Sequence, residues 1–315
     1  MQTEYLHKII REQVPSFRQR PYLANLAEFK EQIRNKTIVN YLKGDYCWSL
    51  CFDPPFVANL CFEGFLPICC DVGGSEVPGL HVLLPKLHEM RCVLRPGRVH
   101  ISRNVRKRAK RYILTACRDF QAVLQGCIAQ HEASWLYPPM QRLLLQLNKG
   151  FNLDDHCTSD SDPAGDTAVS VKRFVRTVSF ELWALPEKEE SQNSSAHDEM
   201  KEFHLDSSVA LPEGSRLVAG DLGFVVGRNY TSCSGFYADS GAGSMQLALS
   251  ARLMERFGAL WDLGQDHVYK TELGAELIPR ADFLSQFRSL REGPPLSFFT
   301  RGTAYKGADL IKSDD

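Results

Sequence analysis

Two acidic side chains stand in stretches that are otherwise apolar, and their carboxylates are the groups of this chain best suited to acid–base chemistry. Asp262 lies between a tryptophan and a leucine in a short strand predicted over Leu260–Gly264. Asp221 lies in a second β-rich run, Arg216–Val226. A carboxylate on an apolar strand is costly unless it is paired or hydrogen-bonded, so each is either a buried structural acid or a working one.

The elements around these carboxylates follow from hydrophobic spacing and turn residues. The runs at residues 216–226 and 229–236 predict a hairpin whose tight turn contains Gly227. A loop rich in glycine and serine follows at residues 238–244, and apolar residues spaced by four then predict a helix over residues 245–257. Asp262 therefore lies on a new strand that begins directly after this helix.

A basic stretch at residues 98–111 is the clearest candidate for binding a polyanion. Ser102 is a predicted helix N-cap, and basic residues crowd the turns that follow it. These residues are Arg103, Arg106, Lys107, Arg108, Lys110 and Arg111. Such a helix is either a solvated surface with acidic neighbours or a phosphate-binding face that holds a nucleic-acid backbone without reading its bases.

Composition limits the class of protein. The chain has 315 residues, 43% of them hydrophobic, and a net charge of −1 at pH 7, so no global field draws it to nucleic acid or membrane. No apolar run approaches the roughly 18 residues of a membrane span, and no signal-type core follows the first residue, so we expect a cytoplasmic protein with no membrane partner. The ten cysteines show no zinc spacing. We expect them to be reduced thiols with no metal bound. We also expect the protein to be a monomer.

The alternation of short strands and helices predicts an α+β protein. We expect a small N-terminal α+β unit over residues 1–97, in which residues 1–22 form a polar arm and a strand spans Met90–Leu94. A larger mixed-sheet domain is expected over residues 98–294. Two polar stretches, near residues 152–172 and 187–214, predict flexible insertions in it. Residues 295–315 are predicted to be a loosely ordered tail.

The order of motifs along the chain resembles one family, the leucyl/phenylalanyl-tRNA–protein transferases. The carboxyl-terminal motifs are Gly220, Gly223, Gly227, Cys233, Asp262, Leu273-Gly274-Ala275 and Ile278-Pro279-Arg280. The upstream motifs are Tyr41 to Gly44 with Trp48, His100 to Arg103, Trp135, and Ser179 to Trp183 with Glu181. The resemblance covers most of the chain, and the two insertions indicate a divergent member of eukaryotic type.

This resemblance implies a fold and an activity. The larger domain would have the acetyltransferase-type (GNAT) fold. It would move an amino acid of the leucine or phenylalanine class from aminoacyl-tRNA to the N-terminal α-amine of an acceptor protein, as in N-degron tagging, with aminoacyl-tRNA as co-substrate and no other cofactor. Because the ester is already activated, positioning and oxyanion stabilisation would suffice, without a covalent intermediate.

The resemblance also implies roles for particular residues. Asp262 would orient or polarise the attacking amine, facing the same groove as Trp48 at the edge of the aminoacyl pocket. Trp135 would be a core residue or a wall of the adenosine pocket. Ser179 and Glu181 would support the sheet. The apolar pocket for the donor side chain would be lined by Phe224, Phe236, Tyr237 and Leu249.

Three departures from the family pattern put its chemistry in question. Gly235 stands where the family has a glutamate of the catalytic site, and Gly264 where it has a glutamine. Asp221 stands where the family has an apolar pocket residue. We therefore hypothesise that Asp221 replaces the lost glutamate from across the cleft, which requires it to share a face of the sheet with Asp262.

Two alternatives remain open at this stage. The first is a non-catalytic relative that binds tRNA or N-terminal peptides. The second is an acyltransferase that uses an acyl thioester, which would require a pyrophosphate-binding loop before a helix. The loop at residues 239–244 is rich in glycine but lacks the leading arginine or glutamine of such a loop.

Overall fold

The structure of the chain is a computed structural model. It describes residues 2–38, 42, 44–73, 78–132, 135–154, 173–186, 211–299 and 303–312. The two predicted insertions lie largely outside the described residues, which stop at 154 and resume at 173, and stop again at 186 and resume at 211.

Helices and strands alternate along the described chain. The helices are α1 (Gln2–Gln13), α2 (Leu26–Arg34), α3 (Pro54–Phe62), α4 (Arg103–Arg108), α5 (Phe120–His131), α6 (Pro138–Leu147), α7 (Ala242–Arg256), α8 (Val268–Glu272), α9 (Arg280–Arg291) and α10 (Gly307–Ile311). The strands are β1 (Leu66–Asp71), β2 (His81–Lys86), β3 (Met90–Leu94), β4 (Tyr112–Ala116), β5 (Phe151–Asn152), β6 (Phe174–Ala184), β7 (Arg216–Val226), β8 (Asn229–Tyr237), β9 (Leu260–Gly264), β10 (Glu276–Pro279) and β11 (Thr303–Lys306).

Most strands belong to one large mixed sheet. Its order is β10-β3-β9-β8-β7-β6-β4-β11, with β5 beside β6, and its neighbours are antiparallel except β8 and β9. Strand β7 is buried along almost its whole length, because helices cover both faces of the sheet and leave no solvent side. Strands β1 and β2 form a separate antiparallel pair. The α+β class and the large mixed sheet are thus confirmed.

The apolar side chains form two large clusters and a small one. One large cluster includes Phe56, Leu124 and Phe287 and joins α3, α5 and α9 to the sheet. The second includes Tyr230 and Leu249 and lies beneath α7. The small cluster surrounds Trp48. The sheet therefore separates an α5 side from an α7 side, and this distinction matters for the site.

The glycine of the Leu273-Gly274-Ala275 motif is required by the backbone. Gly274 has φ +106°, a region that L side chains rarely adopt. A Cβ at this position would lie 1.9 Å from the carbonyl oxygen of Arg98, and the neighbouring Leu273 carbonyl accepts a hydrogen bond from His100 N. The motif therefore holds the chain just before the basic helix α4.

Three local predictions are corrected by the structure. Strand β3, expected in the small N-terminal unit, pairs with β9 and β10 in the large sheet. The arm expected over residues 1–22 contains helix α1. The tail expected to be loosely ordered contributes the edge strand β11 and helix α10, because Leu310 and Ile311 are buried and β11 pairs with β4. Strand β11 and helix α10, with four and five residues, are too short to show a periodic pattern.

Candidate active site

The candidate site lies where two parallel strands separate. Strands β8 and β9, joined through α7, pair only between residues 229–231 and residues 260–262. Beyond this point β8 remains paired with β7 as far as Tyr237, and β9 remains paired with β3 as far as Gly264. A cavity of about 1070 Å³ lies between the diverging ends.

The walls of the cavity come from both halves of the chain. Residues 232–237 of β8 form one edge of the cavity and residues 263–265 form the opposite edge, and these two segments are called its lips. Further lining side chains are Leu66, Ile68 and Lys86 of the small sheet, Gln130 and His131 of α5, Trp135, Asp221, Ser244, Gln246 and Leu247 at the start of α7, and His267, Tyr269 and Lys270. The cavity thus reaches from the α5 side of the sheet, through the gap, to the α7 side.

Several residues predicted from the sequence line this cavity. Gly235, Phe236, Tyr237 and Gly264 do so, as does Trp135. The Phe236 ring packs where Gly126 and Gly220 have no side chain, since a Cβ on either would lie within 2.7 Å of it. Tyr237 is 57% exposed and stands at the mouth.

Asp221 lies in the wall on the α7 side. Its Oδ2 accepts hydrogen bonds of 2.5 Å from Tyr230 Oη and 2.5 Å from Ser232 Oγ, and Ser232 Oγ accepts in turn from Trp261 Nε1 at 3.0 Å. Burial raises the pKa of Asp221 to about 6, against the lowering effects of these hydrogen bonds and of the charge on Lys270. The pKa of Asp221 is therefore raised above the usual range of an aspartate, and its predicted catalytic role stays a prediction.

Asp262 does not line the cavity. Its side chain and that of Arg91 are both 0% exposed and form a two-pronged ion pair, with Arg91 Nε 2.8 Å from Oδ1 and Arg91 Nη2 2.7 Å from Oδ2. Thr231 Oγ1 and the backbone N–H of Gly264 also donate to the carboxylate, at 3.1 and 2.9 Å. The expectation that Asp262 faces the groove is wrong, because its carboxylate is buried against Arg91 and bonds Thr231 and Gly264 instead.

The two carboxylates lie on opposite faces of the sheet. Asp262 bonds Thr231, whereas Asp221 bonds Tyr230 and Ser232, which flank Thr231 on β8. Successive side chains of a strand point to opposite faces. The hypothesis that Asp221 and Asp262 act together across one cleft is therefore wrong.

Trp48 does not line the cavity either. It is 0% exposed and stacks between His7 and Phe17, with ring centroids 5.1 and 5.2 Å away. The N-terminal arm thus covers the tryptophan that was predicted to bind substrate. The local pattern could not indicate this, because His7 and Phe17 are distant from Trp48 in the sequence. Two other predicted pocket residues, Phe224 and Leu249, are buried in the core and do not line the cavity.

Residues that the sequence did not indicate complete the site. Lys270 Nζ donates to the carbonyls of Leu263 and Gln265, both at 2.6 Å, and fixes the lip that follows β9. Burial lowers the pKa of this amine. On the α5 side, Gln130 Oε1 accepts from Tyr237 N, and His131 Nε2 lies 2.8 Å from the carbonyl oxygen of Gly235. No spacing motif marks these positions.

The basic helix adjoins the mouth of the cavity. Ser102 caps α4 by accepting from Val105 N, as predicted. Its predicted phosphate-binding side chains are exposed except Arg108, which is half-buried. Arg108 Nη1 lies 3.0 Å from the position that a Cβ of Gly241 would take, and Gly241 is the residue from which α7 starts. A polyanion on α4 would therefore reach the first turn of α7.

A buried carboxylate at Glu181 fixes the start of α5. It accepts hydrogen bonds from Thr115 Oγ1 at 2.6 Å, from Ser179 Oγ at 2.5 Å, and from the backbone N–H groups of Arg118 and Asp119. Burial is the largest effect on Glu181 and raises its pKa to about 7. This network supports the sheet and orients the helix whose far end carries Gln130 and His131.

The raised pKa of Glu181 predicts a pH-dependent stability. Because the folded state binds this proton more tightly than the unfolded state, its contribution is fully present below pH 4.5 and is lost as the pH rises through about 7. In the wild-type protein, the unfolding free energy should fall by roughly 3 kcal/mol as the pH rises from 4.5 to about 7. We expect Glu181→Gln, which has no titrating group at this position, to lack this fall. Denaturant unfolding at stepped pH measures the difference in slope, and parallel curves for the two proteins would contradict the prediction.

In the described ranges, no group of three or more His, Cys, Asp or Glu side chains is arranged to hold a metal ion. Among the same residues, no helix has the length and apolar character needed to cross a bilayer.

Comparison with known proteins finds similarity to one transferase family. Residues 190–288 match the family model described as leucyl/phenylalanyl-tRNA protein transferase. This stretch includes β7, β8, α7 and β9, which build the cavity. The resemblance predicted from the motifs is confirmed: over this stretch the chain is similar to the leucyl/phenylalanyl-tRNA–protein transferases.

Individual relatives carry the same name. A leucyl/phenylalanyl-tRNA–protein transferase of Xanthomonas euvesicatoria is 39% identical over 110 residues, which is 34% of this chain and 44% of that protein. One from Zymomonas mobilis is 36% identical over 119 residues, or 36% of this chain and 42% of that protein. The chain thus spans less than half the length of these relatives. The upstream motifs, from Tyr41 to Trp183, precede the residues that match the family model.

Proposed function

We propose that this protein is an aminoacyltransferase that moves an amino acid from aminoacyl-tRNA to the N-terminal α-amine of an acceptor protein. The observation that carries the proposal is the contact between the basic helix α4 and the start of α7. Through Arg108 and Gly241, a phosphate-binding surface leads directly into the cavity between β8 and β9. The match of residues 190–288 to the transferase family supports the same reading.

The tRNA acceptor end would lie along α4 and enter on the α7 side. Helix α7 starts at Gly241 without a side-chain cap, so the positive end of its dipole is directed at the cavity. Together with the guanidinium of Arg108, this end would hold the last phosphate of the acceptor strand. The acceptor amine would enter from the α5 side, past Trp135 and His131. The parallel unit β8–α7–β9, whose strands diverge at the site, supports the GNAT-type fold predicted from the resemblance.

The chemistry requires little beyond positioning. The acceptor nitrogen attacks the ester carbonyl carbon, a C–N bond forms, and the ester C–O bond breaks. The proton lost from the amine ends on the released ribose hydroxyl. A free α-amine titrates near 7.7–8.0, so a modest base or water suffices, and holding both substrates can lower the barrier by about 7–11 kcal/mol. Asp262 contributes by holding Gly264 and, with it, one lip of the cavity.

A second candidate is a binding protein without transfer activity, acting on the same tRNA or N-terminal peptides. The burial of Asp262 against Arg91, together with the absent side chains at Gly235 and Gly264, favours it. In both cases we propose a monomeric cytoplasmic protein. The transferase candidate would act in N-degron tagging, with aminoacyl-tRNA as co-substrate and no cofactor.

A transfer assay separates the two candidates. Purified protein is incubated with tRNAs charged with leucine, phenylalanine, lysine or arginine and with peptides of varied N-terminal residue. We expect a peptide product heavier by one donor residue, detected by mass spectrometry, and no product from peptides whose α-amine is acetylated. Binding of charged tRNA without product in any combination would reject transfer and leave the binding candidate.

A further inference from the structure

Asp221 supplies a negative charge to a cavity that was expected to be apolar. Among the described residues that line the cavity, it is the only carboxylate. The side chain is 5% exposed, and both of its recorded hydrogen bonds go to Oδ2. Lys270, whose charge acts on Asp221, donates instead to the carbonyls of Leu263 and Gln265. No ion pair between these two side chains is recorded in the part of the chain that the structure describes.

The second carboxylate oxygen is directed over a residue without a side chain. Asp221 and Gly235 are cross-strand partners on β7 and β8. The Oδ1 atom lies 3.4 Å from the position that a Cβ of Gly235 would occupy. Any side chain at 235 would cover the carboxylate, whereas glycine leaves it open toward the cavity. The pair therefore presents an acceptor to a group that enters between the strands.

Asp221 lies on the side of the cavity where the aminoacyl group of the tRNA would enter, and not on the side where the acceptor amine would enter. Tyr230, which bonds the carboxylate, packs in the core cluster beneath α7. The first turn of α7 is where Arg108 of the basic helix lies. A tRNA held on α4 would therefore bring its aminoacyl group into the cavity on the α7 side, where the Asp221 carboxylate lies.

We propose that Asp221 makes the cavity selective for a donor amino acid with a cationic side chain, lysine or arginine, instead of leucine or phenylalanine. This inference rests on the proposed function. A leucine side chain would desolvate the carboxylate and leave it unpaired, which is costly, whereas an ammonium or guanidinium group would pair with it. A site with a buried polar group discriminates strongly against an analogue that cannot satisfy it.

Binding of non-reactive donor mimics tests the selectivity without requiring turnover. The probes are 3′-amino-3′-deoxyadenosines that carry lysine, arginine, leucine or phenylalanine in amide linkage, and calorimetry measures their dissociation constants. We expect the lysyl and arginyl probes to bind the wild-type protein at least 10-fold more tightly than the other two. Tighter or equal binding of the leucyl probe by the wild-type protein would overturn the inference, whether or not any variant folds.

Variants assign the preference to the carboxylate. Asp221→Asn keeps the shape of the side chain and an acceptor for Tyr230, and we expect it to abolish most of the preference. The matched control is Asp282→Asn, an exposed acid on α9 outside the cavity, which should retain the preference. An equal loss for all four probes in Asp221→Asn would instead indicate a general role and overturn the selectivity. Transfer of leucine but not lysine would reject this inference and leave the proposed function standing.

Discussion

Asp262→Ala should lower the unfolding free energy by about 3–5 kcal/mol relative to the wild-type protein. The substitution leaves the guanidinium of Arg91 fully buried without its counter-ion, and removing one partner of a buried pair costs this much. It also removes the acceptor for the Gly264 N–H and for Thr231 Oγ1. Denaturant unfolding followed by circular dichroism measures the loss.

Two comparisons make this result specific to the buried pair. Asp239→Ala breaks the exposed ion pair with Arg216 and should cost at most about 1 kcal/mol. The double variant Arg91→Met with Asp262→Leu removes both charges and should recover most of the stability, since apolar replacement of a buried pair is often neutral. If Asp262→Ala were as stable as Asp239→Ala, the buried pair would not be the structural element described above.

Reversing charge on the basic helix should weaken tRNA binding by about 100-fold at low salt. Arg103 and Lys107 are exposed, lie one turn apart on α4 and face the same side. Changing both to glutamate removes two phosphate contacts and adds repulsion, so the salt dependence of binding should also become shallower. An acid at the first position of α4 is favourable to the helix dipole, so the fold should be retained.

The matched control reverses charge elsewhere on the surface. Arg142 on α6 and Lys149 just beyond it are also exposed and are not part of α4. Changing both to glutamate gives the same change in net charge, and we expect a loss of tRNA affinity of less than about 3-fold. Fluorescence anisotropy with uncharged tRNA over a salt series measures both variants, and equal losses would assign binding to net charge instead of to α4.

Much of the fold could be predicted from local pattern. The bounds of β3, β7 and β9 agree with the strands predicted at Met90–Leu94, Arg216–Val226 and Leu260–Gly264. Strand β7 contains Val218, Phe224, Val225 and Val226 and ends at the turn that contains Gly227. The N-cap at Ser102 was also predicted correctly. Local patterns report local structure, so they succeed where sequence neighbours decide the conformation.

The site was harder to predict because its partners are distant in sequence. Arg91 and Asp262 are 171 residues apart, and nothing in the pattern around either residue indicates the other. The apolar neighbours of Asp262 predicted that it is buried, but they could not show whether its carboxylate is structural or catalytic. Trp48 was misplaced for the same reason, since its cover comes from α1. The position of Asp221 in the cavity followed only after β7 and β8 were seen in register.

The interleaving of β3 with the carboxyl-terminal strands bears on how this polypeptide can be divided. The stretch that matches the transferase family contains β9 and β10, but the strand between them, β3, comes from residues 90–94. Expressed by itself, that stretch would lack the strand that separates β9 from β10, and Asp262 would be left facing apolar side chains. We therefore expect it to be insoluble as an autonomous fragment and to be rescued by complementation with a separate amino-terminal piece that carries Arg91.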